Sequence, residues 1–74
     1  MNNISKKKLT KYESLINKGI SSAKKQEFKA AEKIFNDAIN YNKQKDEAYI
    51  NLANIYLINK NISSSTKILF NYLK

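Results

Sequence analysis

From Leu9 onward the apolar residues fall three and four apart, and they do so in four runs separated by short polar breaks. Leu9, Tyr12, Leu15, Ile16, Ile20 and Ala23 trace one face of a helix over 9–24. Phe28, Ala31, Ile34, Phe35, Ala38, Ile39 and Tyr41 trace a second over 28–42, with charge on the opposite side. The third run, over 47–59, is apolar nearly all round: Ala48, Tyr49, Ile50, Leu52, Ala53, Ile55, Tyr56, Leu57 and Ile58. A helix of that kind is predicted to be buried on more than one side. The fourth opens on Ser63-Ser64-Ser65-Thr66, whose side chains can reach free N–H groups at a helix start. Ile62, Ile68, Leu69, Phe70, Tyr72 and Leu73 supply its apolar set.

The breaks carry their own signals. Ser5 or Thr10 can cap the first helix, and Lys24 and Lys25 suit the negative end of its dipole. Lys25-Gln26-Glu27, Asn42-Lys43-Gln44-Lys45 and Asn59-Lys60-Asn61 form the three turns, with Asp46 as expected N-cap of the third helix. No proline occurs, Gly19 is the single glycine, and period-2 alternation is not sustained anywhere. The prediction is an all-α domain over 9–74, built as antiparallel helical hairpins, after a flexible basic N-terminus over 1–8.

Shifting the chain by 34 residues lays 12–40 on 46–74. Glu13 then meets Glu47, Ile16 meets Ile50, Asn17 meets Asn51, Lys33 meets Lys67 and Ile34 meets Ile68. Leu15/Tyr49, Gly19/Ala53, Phe28/Ile62 and Phe35/Leu69 pair as core residues of matching kind. A helix–turn–helix unit of that period marks one repeat family.

The residues resemble the tetratricopeptide repeat. Tyr49, Leu52, Ala53 and Tyr56 match its front-helix pattern in a second unit, over about 46–74 and truncated. Phe28, Ala31, Phe35 and Ala38 match its back-helix pattern in a first unit, over about 12–45, whose front helix supplies Leu15 and Gly19. Lys18 and Ser22 stand where the pattern has leucine and tyrosine, Ser65 and Tyr72 where it has alanine, and Lys43 where it has proline. A generic four-helix array with an accidental spacing is the other reading of the pattern. The resemblance implies a short α-α superhelix packed through Leu15, Gly19, Phe28, Ala31, Phe35, Ala38, Tyr49, Leu52, Ala53 and Tyr56. It also implies a concave groove of front-helix residues that binds a peptide or a helix of another protein. Those positions are Glu13, Ile16, Asn17, Ile20 and Lys24, then Glu47, Ile50, Asn51, Asn54, Leu57 and Ile58. Leu57 and Ile58 read equally as packing on a neighbouring helix. Some relatives grip a C-terminal carboxylate, but Ile16 and Ile20 occupy places where that clamp needs polar groups.

Composition narrows the chemistry. With no cysteine and no histidine among 74 residues, disulfides, thiol nucleophiles and the commonest general base are excluded. No glycine-rich phosphate loop occurs, and the close carboxylate pair Asp46-Glu47 reads as a helix start. No enzyme, cofactor or metal is expected. The longest apolar run, Ile55–Ile58, is too short to span a bilayer, and the opening residues resemble no secretory signal, so a cytoplasmic chain is expected.

The formal charge of +8 points to a second class, a basic helical protein binding nucleic acid or an anionic surface. Lys6, Lys7, Lys8 and Lys11 form one cluster, and Lys24, Lys25, Lys29 and Lys33 another. Against it, no basic residue is arginine, whose fork best fits phosphates and guanine edges. The aromatics, moreover, are wanted in the core. Repeat stacks need a polar terminal cap, and Leu69, Phe70, Tyr72 and Leu73 lie in the last run. Pairing with another copy or a partner chain through the fourth helix is therefore expected.

Overall fold

The computed structural model describes residues 9–73. The expected N-terminal segment over 1–8, with Ser5 and the Lys6–Lys8 cluster, lies outside them. Four helices follow in chain order: α1 Lys11–Lys24, α2 Phe28–Tyr41, α3 Glu47–Ile58 and α4 Ile62–Leu73. No strand occurs among the described residues, and the fold is all-α.

The first helix begins two residues later than its apolar stripe. Thr10 caps it. The Glu13 amide donates to the Thr10 hydroxyl at 3.0 Å, and the Thr10 amide donates back to the Glu13 carboxylate at 2.9 Å. This reciprocal pair satisfies two amides that the helix itself leaves free, and it stops the helix there. Leu9 is thereby left outside and exposed.

Two of the turns are copies. In the first, Gln26 takes φ 64°, the Gln26 amide donates to the Ala23 carbonyl at 2.9 Å, and the Glu27 amide to the Ser22 carbonyl at 2.9 Å. In the last, Lys60 takes φ 61°, the Lys60 amide donates to the Leu57 carbonyl at 2.9 Å, and the Asn61 amide to the Tyr56 carbonyl at 2.7 Å. Each residue has its counterpart 34 positions on, so the period read from the sequence recurs in the backbone. Both are left-handed helix ends of the kind that glycine favours, because a side chain there crowds the following carbonyl. Gln26→Gly and Lys60→Gly are each expected to stabilise the fold by about 1 kcal/mol. Thermal unfolding followed by circular dichroism checks this, with a rise of roughly 4–8 °C expected per change.

Packing runs between neighbours. α1 lies on α2, α2 on α3 and α3 on α4, while α3 also reaches back to α1. One cluster holds them together: Tyr12 and Ile16 from α1, Ala31, Phe35, Ala38 and Ile39 from α2, and Ala48, Tyr49, Leu52 and Ile55 from α3. The near-uniform apolarity of α3 follows from this position, since it meets all three other helices. From α4, Ile68 and Tyr72 reach the cluster, with Tyr72 tilted against Tyr49 at a centroid distance of 4.7 Å.

Three expectations are corrected. Ile16, expected on an open groove, is buried in the core because α3 folds over that side of α1. Tyr41, counted with the apolar stripe of α2, stands exposed at the helix end. Asp46 occupies the N-cap position of α3, but its backbone is already helical and its side chain makes no cap. The Tyr12 hydroxyl does that work across the fold, accepting from the Ala48 amide at 3.1 Å in a buried position.

Candidate functional site

The other expected groove residues divide by exposure. On α1, Asn17 and Lys24 are exposed and Ile20 is half-buried against the core. On α3, Ile50, Asn54, Leu57 and Ile58 are exposed and Asn51 is half-buried. Ile50, Asn54 and Leu57 sit at i, i+4 and i+7, so they share one side of that helix. Of the two readings of Leu57 and Ile58, the coordinates leave both side chains uncovered rather than packed on a neighbouring helix.

Several polar groups expected to face a ligand are committed to the chain. The Asn51 amide donates to the Glu47 carbonyl of its own helix at 2.8 Å. Glu13 holds the α1 cap. The surface that remains is therefore largely aliphatic, with the Asn54 and Asn17 amides between.

Of the packing residues, Gly19, Ala31, Phe35, Ala38, Tyr49, Leu52 and Ala53 are buried, while Leu15, Phe28 and Tyr56 are half-buried at its edge. Two tyrosines tie the helices by their hydroxyls as well. The Tyr49 hydroxyl donates to the Lys43 carbonyl at 3.1 Å and fixes the α2–α3 turn. The Tyr56 hydroxyl donates to Glu32 on α2 at 2.7 Å. Burial, then that bond and the Glu32 charge, push the Tyr56 hydroxyl up to about 12 from 10.0. Burial also raises Tyr12, against the lowering pull of the Ala48 N–H.

A folded-state value above the unfolded one gives stability that is complete below about pH 10 and lost as pH rises toward 12. The expected result is a fall in unfolding free energy over that range, with a shallower fall in Tyr56→Phe. Urea unfolding across an alkaline pH series checks it, and identical slopes for the two proteins would show that Tyr56 is not the source.

The second hairpin carries most of the exposed apolar surface. Besides Ile50, Leu57 and Ile58, α4 exposes Ile62, Leu69, Phe70 and Leu73. A shallow depression on the outer side of α4 is lined by Ser63, Thr66, Lys67 and Phe70. The sequence had put α4 at the open end but had not singled out this side of it. The signal was present as the i, i+4, i+7/i+8, i+11 spacing of Ile62, Thr66, Leu69, Phe70 and Leu73.

Charge is distributed unevenly. No aspartate or glutamate follows Glu47, so the α3–α4 surface carries Lys60 and Lys67 and no carboxylate. The basic cluster on the first hairpin, Lys24, Lys25, Lys29 and Lys33, is exposed, and Lys33 pairs with Asp37 at 3.4 Å. Phe28, Tyr12, Phe35, Tyr49 and Tyr56 are turned to the core or its edge, not interleaved with those lysines. Among the described residues no helix is long and apolar enough to cross a membrane. Nor do three histidine, cysteine or carboxylate side chains gather among them as a metal site requires.

Compared with protein families, with curated proteins and with solved structures, the chain matches none.

Proposed function

We propose that this chain is a cytoplasmic protein–protein interaction module, a short tetratricopeptide-like repeat that acts as scaffold or adaptor rather than as an enzyme. One observation carries the reading. Ile50, Leu57, Ile58, Ile62, Leu69, Phe70 and Leu73 are exposed together on the second hairpin, above a well-buried core. Concentrated exposed apolar side chains mark interaction surfaces, whereas scattered ones do not. The duplicated turn at Gln26 and Lys60 supports the repeat, and the side of α3 bearing Ile50, Asn54 and Leu57 supports an apolar anchor for a peptide or helix.

Selection from a displayed peptide library tests it. The expected result is an enriched family of peptides with apolar anchors whose binding is lost in Ile50→Glu, an exposed position where the change leaves folding intact. No enrichment, or enrichment indifferent to Ile50→Glu and to Leu57→Glu, would sink the reading.

The nucleic-acid alternative rests on the exposed lysines of α1 and α2. Base stacking needs aromatics beside the charge, and these stand apart from it. Mixed-sequence RNA is expected to bind no tighter than about 10 μM at physiological salt, as measured by fluorescence anisotropy. Sub-micromolar binding there would favour the alternative.

A further inference from the structure

We infer that the open face of α3 and α4 is a seat for an acidic amphipathic helix supplied by a different protein. The inference rests on the protein-binding reading above and adds the chemistry of the partner.

The first argument is register. Three positions of the first hairpin are buried in the cluster that α3 closes: Ile16 at 7%, Phe35 at 1% and Ile39 at 8%. Their counterparts 34 residues on are Ile50, Leu69 and Leu73, exposed at 47%, 37% and 76%. The second hairpin thus repeats the apolar positions of the first without the helix that covers them. What fits over such a pair of helices is a helix with an apolar stripe, as α3 fits over α1 and α2.

The second argument is charge. The rim of this face carries Lys60 and Lys67, and no carboxylate occurs anywhere after Glu47. Lys67 lies beside Phe70 in the depression on α4. A helix seated there meets cations on its flanks and has no anion to meet, so carboxylates beside its apolar stripe are the complementary choice.

The same charge disfavours a second copy of this chain. Two α3–α4 faces brought together would set Lys60 and Lys67 against each other with nothing to neutralise them. Head-to-tail stacking would put the face on α1, where Lys18 and Ser22 stand in place of Leu52 and Tyr56. Lys18 is exposed, and that end of the molecule is polar.

The test uses the full chain and synthetic helices. One peptide carries leucine at i, i+3, i+4 and i+7 with glutamate on both flanks, and a second replaces each glutamate by lysine. The acidic helix is expected to bind at least about 10-fold tighter, with a preference that shrinks as salt is raised. Phe70→Glu is expected to weaken it about 10-fold or more, and Lys67→Glu to reduce the preference between the peptides. Lys18→Glu, at the other end, is expected to change nothing. Circular dichroism of each variant separates lost binding from lost folding, and Lys67→Glu keeps the charge test open if Phe70→Glu fails to fold.

Equal binding of the two helices overturns the inference, as does no binding of either. Binding to phosphatidylserine vesicles without binding to the acidic helix makes the face a membrane surface and overturns it. A stable dimer in sedimentation that Phe70→Glu disperses assigns the face to a second copy and does the same. If library peptides bind through Ile50 while the acidic helix does not, the protein-binding reading stands and only this inference falls. Failure of both assays removes both.

Discussion

Phe35→Ala is expected to unfold much of the protein at room temperature. Phe35 and Leu52 are the largest fully buried side chains. Removing a buried phenylalanine ring costs about 3–5 kcal/mol, from lost burial and from the cavity left behind. A chain of this length holds roughly 4–11 kcal/mol in total, so one substitution takes half of it or more. The ring also sits at the junction of the hairpins. It packs against Gly19 of α1 and belongs to the cluster that α3 completes. Urea unfolding followed by helical circular dichroism measures the loss. A cost under about 1 kcal/mol would mean that the ring is not at the centre of the core.

Gly19→Leu is expected to be nearly as damaging, by about 3 kcal/mol, for the opposite reason. A Cβ built on Gly19 would lie 2.5 Å from Phe35 Cε1, 2.6 Å from Cζ and 2.9 Å from Cδ1. Those atoms belong to a ring held on all sides, so it cannot swing away. Helix propensity argues the other way, because glycine inside a helix is about 0.8–1 kcal/mol worse than alanine. The sign of even Gly19→Ala is therefore diagnostic. Propensity predicts a gain, and the contact predicts a loss. Phe35→Leu should relieve the contact, so Gly19→Ala measured in that background is expected to cost less than in the wild type. The difference is the coupling between the two sites, and its absence would show that α1 and α2 adjust around the methyl group.

Helix positions were legible because the apolar spacing and the three turns agree with one another. The period of 34 was legible too, and it recurs in backbone detail at Gln26 and Lys60. What could not be read was which apolar side of each helix is covered. Ile16 and Ile50 are the same residue at equivalent positions, and nothing local distinguishes them. One is buried because α3 follows, and the other is exposed where no described helix follows in the same way. The Asp46 cap misled for a related reason. A carboxylate before a helix is a sound local signal, but Tyr12 reaches the Ala48 amide from 36 residues away. Asn51 shows a third limit. Its place on the outer side of α3 was readable, whereas the bond it makes back to Glu47 depends on a rotamer that spacing does not specify.

The way the helices are joined has a consequence for how the molecule opens. α4 touches only α3, through Ile68, Tyr72 and the buried Ser65, whereas α3 is held by three neighbours. The last helix can therefore detach and reseat as a unit of its own while the three-helix nucleus stays intact, a sub-global opening well below the free energy of complete unfolding. Contacts in this fold are short-range along the chain, so the reseating is fast. A helix bound across α3 and α4 would close that hinge. Part of its binding energy would then appear as rigidity in the last quarter of the chain, so occupancy of the face and order in α4 form one linked equilibrium.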